Sequence, residues 1–271
     1  MADASLRLMV FGAHPDDCDL GAGGLAILYA QQGHQVRFVS VTNGDAGHHE
    51  IGGVELARRR RDEAQAAATV AGIEYELLDN HDGELEPTLE NRRKLIRAMR
   101  RFAPDLVLTH RPWDYHPDHR YTSVLVQDAC FLVTVPNVCT DVEILPRSPV
   151  VAYLSDGFEK PCPFRADVAV DIDAVVERKL DMIHCHASQF YEWLPFNSGR
   201  LEEVPTGEAE RRRWLGYRLQ RYVAVADRFR DLLVTRYGEE RGRTVQHAEA
   251  FEGCEYGSPL TEESAARLFP F

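Results

Sequence analysis

The 271-residue sequence has no apolar run long enough to cross a bilayer. Its best candidate, Val124 to Val138, is interrupted by Gln127 and Asp128 and ends near Pro136, so no membrane partner is expected. The opening residues, Met1-Ala2-Asp3-Ala4-Ser5, lack a basic region and a long apolar core; a secretory leader is not expected either. Cysteines are few and scattered, at positions 18, 130, 139, 162, 185 and 254, with no CxxC pair. That argues against a disulfide framework and for a reducing compartment, hence a cytoplasmic protein. Positive charge is in deficit, 31 Lys and Arg against 43 Asp and Glu, for a formal net charge of −12. Such a surface repels phosphate backbones and makes nucleic acid an unexpected partner. The basic stretches Arg58 to Arg61 and Arg211 to Arg213 sit in helical patterns with acidic neighbours and read as solvated faces.

What is present is ample apolar content, 44% of residues, in a repeating order. Leu6 to Phe11 reads as a buried strand, followed by a polar loop, a helix over Leu20 to Gln32 closed by Gly33, and a strand over Val36 to Val41. Strand, helix and strand in that order imply parallel pairing. The pattern recurs with a helix over Val54 to Ala71 ending at Gly72, a strand at Tyr75 to Leu78, a helix over Leu89 to Phe102 before Pro104, and a strand at Asp105 to Thr109. A helix starting near His119 follows, then strands at Val150 to Leu154 and Ala166 to Val170, a helix over Ile172 to His186, and a long helical region over Glu208 to Arg236. The tail from Gly238 is mixed. No repeat or linker divides the chain. The expected fold is α/β and Rossmann-like, a mainly parallel sheet flanked by helices, as a single domain over residues 1–271, with 190–271 a C-terminal extension packed on it. Glu192 to Thr206 reads as a mobile surface loop.

Two near-identical tetrapeptides carry the chemistry. His14-Pro15-Asp16-Asp17 follows the first strand, and His116-Pro117-Asp118-His119 follows the strand ending at Thr109. Two HPD triplets in one chain would arise by chance on the order of once in a thousand sequences. Both lie beyond the carboxyl ends of parallel strands, where open α/β sheets collect ligands. Imidazole and carboxylate side chains, three from the protein with a fourth position open, describe a catalytic zinc site. The six candidates exceed three ligands, which leaves residues for a general base, a polarising group and orienting partners. Spacing alone leaves open which of Asp16 and Asp17 binds metal. A single HPD would be an ordinary capped turn.

With these motifs and the small-residue helix start Gly21 to Gly24, the sequence resembles the zinc deacetylases of the LmbE/PIG-L type, over most of the chain to about residue 190. That resemblance implies removal of an acetyl group from an N-acetylglucosamine-like unit. It places the metal ligands on His14, Asp17 and His119, the general base on Asp16 and the oxyanion-stabilising residue on His116. Asp118 would orient and charge that histidine. One zinc ion per chain is implied, with ferrous iron or cobalt as substitutes, and the partner is a small N-acyl amino sugar; homo-oligomer formation stays open. Where the family has Glu after the paired aspartates, Cys18 stands here, read as a small buried thiol rather than a ligand. The resemblance also places Arg60 and His186 at the substrate, the latter within His184-Cys185-His186-Ala187-Ser188-Gln189. For Arg60, a surface arginine paired along its helix is an equal alternative.

A competing reading is a nucleotide- or sugar-binding Rossmann-like protein, resembling a glycosyltransferase, with Gly21-Ala22-Gly23-Gly24 as its phosphate loop. Those glycines fall inside the helical pattern rather than at the strand-to-helix turn, and close helix–sheet packing accounts for them. A serine hydrolase is disfavoured because no GxSxG element occurs. Trp113, Tyr115, Tyr191 and Trp193 are candidates for a sugar-stacking platform or for core packing. Substrate choice is assigned to the loops Gly44 to Gly53, with His48 and His49, and Glu192 to Thr206.

Overall fold

The computed structural model describes residues 5–271. The first half alternates β1 (Arg7–Gly12), α1 (Asp17–Gln31), β2 (Gln35–Ser40), α2 (Gly53–Ala71), β3 (Glu74–Leu77), α3 (Leu89–Phe102), β4 (Leu106–Thr109) and α4 (Pro117–Leu132). There follow β5 (Val150–Leu154), β6 (Val168–Asp171) and α5 (Val176–Cys185). A π-helical turn over Ser188–Trp193 then runs into α6 (Leu194–Asn197). The last part holds α7 (Glu208–Leu215), a 3-10 turn over Gly216–Leu219, α8 (Gln220–Arg228), α9 (Arg230–Thr244), β7 (Ala248–Gly253) and α10 (Glu262–Leu268). The strands form one seven-stranded sheet in the order β3-β2-β1-β4-β5-β7-β6. The first five are parallel, and β7 runs antiparallel between β5 and β6.

Alternation along β1 explains the three layers. Leu8 and Val10 enter a core shared with Leu25 of α1 and Ala64 of α2, whereas Met9 and Phe11 enter a core shared with Leu95 of α3 and Leu125 of α4. A strand buried on both faces has to read as an unbroken apolar run, which is how β1 looks in sequence. Helix ends follow local rules. Gly72 closes α2 in the left-handed region (φ 75°), and the Thr88 side chain accepts the Asn91 N–H to cap α3.

The small residues of α1 pack as expected. A Cβ on Gly21 would lie 2.6 Å from Leu154 Cδ1, and one on Gly24 2.7 Å from Ile172 Cγ2. The region read as one long helix is instead broken into α7, α8 and α9, with Gly238 interrupting α9 at φ 81°. The segment read as a mobile loop is largely helical and anchored by buried Pro195. The unclassified tail supplies β7 to the sheet itself, along with a charge that the sequence does not pair. Glu249 of β7 and Lys179 of α5 form an ion pair, both side chains 1% exposed or less. The Glu249 carboxylate also accepts the backbone N–H groups of Gly24 and Leu25, each at 2.8 Å. Lys179 Nζ donates to Leu20 O at 2.9 Å, and so does the Tyr222 hydroxyl, also at 2.9 Å. A polar knot thus ties α1 to α5, α8 and β7. Replacing Glu249 by Ala would leave the lysine buried without a counter-charge, so Glu249→Ala is expected to cost about 3–5 kcal/mol. Denaturant midpoints would measure it, and a loss below about 1 kcal/mol would contradict this role.

Candidate metal centre and catalytic pocket

Strands β1 and β4 are direct neighbours in parallel register, with Leu8 level with Leu106 and Phe11 level with Thr109. Their following loops leave the sheet side by side, where connections from β1 run to one side and β4 lies on the other. This is the crevice that open α/β sheets offer to ligands. After β1 the chain folds back tightly. The backbone N–H groups of Asp16 and Asp17 both bond to His14 O, at 2.9 and 3.2 Å, and the Asp17 carboxylate accepts the His14 N–H at 2.8 Å. Asp16 takes up φ 155°, ψ −21°, a conformation costing on the order of 1–3 kcal/mol for a residue with a Cβ. After β4, Asp114 Oδ1 accepts the His116 N–H at 2.9 Å. His116 in turn caps α4 by accepting the Asp118 N–H at Nδ1 (3.2 Å), with Pro117 at the first helical position.

These turns bring three donor atoms together. His119 Nε2 lies 3.2 Å from His14 Nδ1, and Asp17 Oδ2 lies 3.4 Å from each of them. A tetrahedral ion with bonds of about 2.0–2.1 Å would set its ligands about 3.3–3.4 Å apart, so the spacing fits a zinc-sized divalent cation. Tautomers agree with that fit. His14 Nε2 faces two carboxylates, Asp82 at 3.1 Å and Asp118 at 3.3 Å. Its proton therefore belongs on Nε2, and the Nδ1 lone pair points inward. His119 Nδ1 faces Asp114 at 3.1 Å, which turns its Nε2 lone pair to the same point. Burial would lower the pKa of His14, but Asp118, Asp17 and Asp82 hold it well above the ordinary value. Burial would raise Asp17, but His119 and His110 hold it well below.

The structure corrects one expected pairing. The Asp118 carboxylate does not reach His116; it contacts His14 and accepts the N–H groups of Gly83 (2.7 Å) and Leu85 (3.3 Å). Asp118 therefore orients a candidate ligand rather than the candidate oxyanion donor. His116 is half-buried, and burial together with His14 and His119 lowers its pKa. With Nδ1 used as an acceptor, Nε2 is the ring nitrogen left to donate. A second correction concerns His186, which is fully buried against Asp19 at 3.3 Å and is not among the residues lining the cavity. Cys18 is likewise buried, its thiol directed to Val10 O, and burial raises its pKa; it joins none of the candidate ligand groups among the described residues.

Three residues at the centre were missed in the sequence. Asp82 and Asp114 hold the outer nitrogens of His14 and His119. His110 stacks on His119 (centroids 4.1 Å apart) and accepts the Ala13 N–H. His110 stands directly after β4 and Asp114 two residues before the HPD element, so their positions carried a signal. Asp82 stands in an ordinary loop tetrapeptide, Asn80-His81-Asp82-Gly83, and carried none.

The cavity over this centre encloses about 770 Å³ and is lined by Asp16, His116, Arg60, Tyr115 and Trp193 among others. Tyr191 is instead buried beside Trp214. Of the four consecutive arginines, Arg60 alone is buried. Its guanidinium donates to Pro15 O at 2.9 Å and approaches Asp16 at 3.4 Å and Asp82 at 3.7 Å. Burial raises the Asp16 pKa to about 6; Arg60 opposes that rise and Asp17 adds to it. A carboxylate with a raised pKa, not among the three convergent donors, thus sits beside them and the His116 imidazole.

Residues 9–130 match the family model described as "PIG-L: GlcNAc-PI de-N-acetylase". Over 205 residues, 70% of this chain and 74% of the relative, the sequence is 32% identical to diacetylchitobiose deacetylase of Thermococcus kodakarensis. The chain belongs to the PIG-L family. A second relative, 4-oxalmesaconate hydratase of Pseudomonas putida, is 30% identical over 193 residues, 68% of this chain and 74% of that one. The PIG-L fold is matched by the structure of N,N'-diacetylchitobiose deacetylase from Pyrococcus horikoshii. The TM-score is 0.72 at 25% identity, covering 94% of this chain and 85% of that one. The nucleotide-binding or glycosyltransferase-like alternative finds no support in these matches. If Asp118 orients His14 as described, Asp118→Asn should weaken divalent-metal binding about 10–100-fold. Competition with a chromophoric chelator would measure it, and unchanged affinity would remove Asp118 from this role.

Proposed function

We propose that the chain is a metal-dependent N-deacetylase acting on a small N-acetylated amino-sugar compound. The observation that supports it most is the convergence of His14, Asp17 and His119 beside a carboxylate that remains free, Asp16. In this reading the three residues hold one zinc ion, and ferrous iron or cobalt would suit the same donors. When bound, the ion acidifies water and polarises the substrate carbonyl.

The protein's own groups divide the remaining work. Asp16 accepts a proton from the attacking water and returns it to the departing amine. Its raised pKa suits both directions of transfer near neutrality. His116 Nε2–H donates to the carbonyl oxygen as negative charge develops there. Arg60, between Asp16 and Asp82, fixes the base from behind and contributes to the cavity wall that meets the substrate. The products are acetate and a free amine.

Acetate release from a panel of N-acetylglucosamine conjugates is the direct test. Chelation should abolish it and re-addition of zinc restore it. Asp16→Asn should keep stoichiometric metal yet lose at least about 100-fold in kcat; near-wild-type turnover would sink the assignment of Asp16. The hydratase relative favours a second reading, addition of water to an unsaturated acid. It would show as bleaching of a conjugated substrate without acetate release.

A further inference from the structure

One stretch of the cavity wall is built from a single helical face. Arg218, Arg221, Ala224, Val225 and Arg228 all line the cavity, at offsets 0, 3, 6, 7 and 10, the repeat of a single stripe along the 3-10 turn and α8. In the same region Arg212 is neutralised by Asp181 and Glu177, Arg213 by Glu210 and Arg230 by Asp227, whereas Arg211 and Arg236, which do not line the cavity, rest on aromatic rings. The remaining cavity arginines are matched as well, Arg111 by Asp156 at 2.6 Å and Arg60 by Asp16 and Asp82. Arg218, Arg221 and Arg228 pair with no carboxylate of the described residues, in a chain whose formal net charge is −12. Each is nonetheless held in place. Arg221 and Arg228 each donate one Nη2 bond, at 2.8 Å, to Ser155 O and Phe164 O respectively. Arg218 stacks 5.1 Å from the ring centres of both Phe190 and Tyr217, and its buried Nε has no partner. Three positioned guanidiniums with free donors, facing a cavity, are what a planar or tetrahedral oxyanion selects.

We propose that this face is an anion subsite, binding a carboxylate or phosphate that the substrate carries on a part other than the scissile amide. The proposal narrows the substrate class to acidic N-acetyl compounds. It rests on the deacetylase reading only for the identity of the bond cut.

Calorimetry on the zinc-loaded protein with glucosamine 1-phosphate, muramic acid and methyl glucosaminide separates the two questions, because these deacetylated probes need no turnover. At least one acidic sugar should bind about tenfold or more tighter than the neutral one, and the tighter of the two identifies the anion. That preference should shrink as salt rises and fall to within about threefold in R218Q/R221Q/R228Q, while Lys at the same positions retains part of it. If the triple variant does not fold, R221Q and R228Q at exposed positions carry the same test singly. Equal binding of acidic and neutral sugars by the wild type, or an equal loss for both in the Gln variants, overturns the subsite. Failure to release acetate from the N-acetylated forms of the same probes, with the binding preference intact, counts against the deacetylase reading and leaves the subsite standing.

Discussion

Parallel pairing of β1 with β4, Phe11 level with Thr109, is the constraint from which the site's geometry follows. Each HPD element alone supplies an imidazole, a rigid proline and a carboxylate on a capped turn, which is common and inert. Side by side, at the point where the sheet's connections diverge, they place atoms 102 to 105 residues apart in sequence within 3.2–3.4 Å. A slip of one residue in that register would turn every side chain of β1 to the opposite face and part the two loops. Core packing on both sides of β1 therefore also holds the candidate centre together.

Charge around that centre is compensated from outside inward. Asp82, Asp114 and Asp118 take the outer nitrogens of His14 and His119, which decides where the protons sit and where the lone pairs point. Several carboxylates thus crowd the pocket floor, and the buried Arg60 lies beside two of them, Asp16 and Asp82. Asp16 and Asp17 are adjacent in sequence yet driven apart in proton affinity: one is pushed up by burial, the other held down by surrounding imidazoles. Two identical side chains gain different chemistry from their surroundings alone, the pattern expected where one must bind and the other must exchange protons.

Much of this was legible in the residues. Doubly buried strands, glycine-closed helices and twin motifs at strand ends are local signals, and β1, α3, β4 and β5 follow them within a residue or so. What was not legible depends on long-range contact. Nothing near Asp82 or Glu249 in sequence says what they meet, because their partners, His14 and Lys179, are 68 and 70 residues away. The role expected of Asp118 failed for a related reason: its neighbour in sequence, His116, is engaged through Asp118's backbone N–H, while its carboxylate turns to a partner on another loop. The continuous helical pattern over Glu208 to Arg236 hid the breaks because arginine-rich helical sequence tolerates a 3-10 turn at Gly216 with little change in its periodicity.

The knot between Glu249 and the amides of Gly24 and Leu25 has a consequence for the order of assembly. During synthesis from the N-terminus, every residue of the candidate centre is made at least 130 residues before Glu249. The helix that begins at Asp17 thus spends most of translation without the carboxylate that seats it, and Lys179 waits without its counter-charge. The last strand of the described residues is therefore the keystone of the first helix: nascent chains stopped short of β7 would carry the candidate ligands but lack the carboxylate that seats α1.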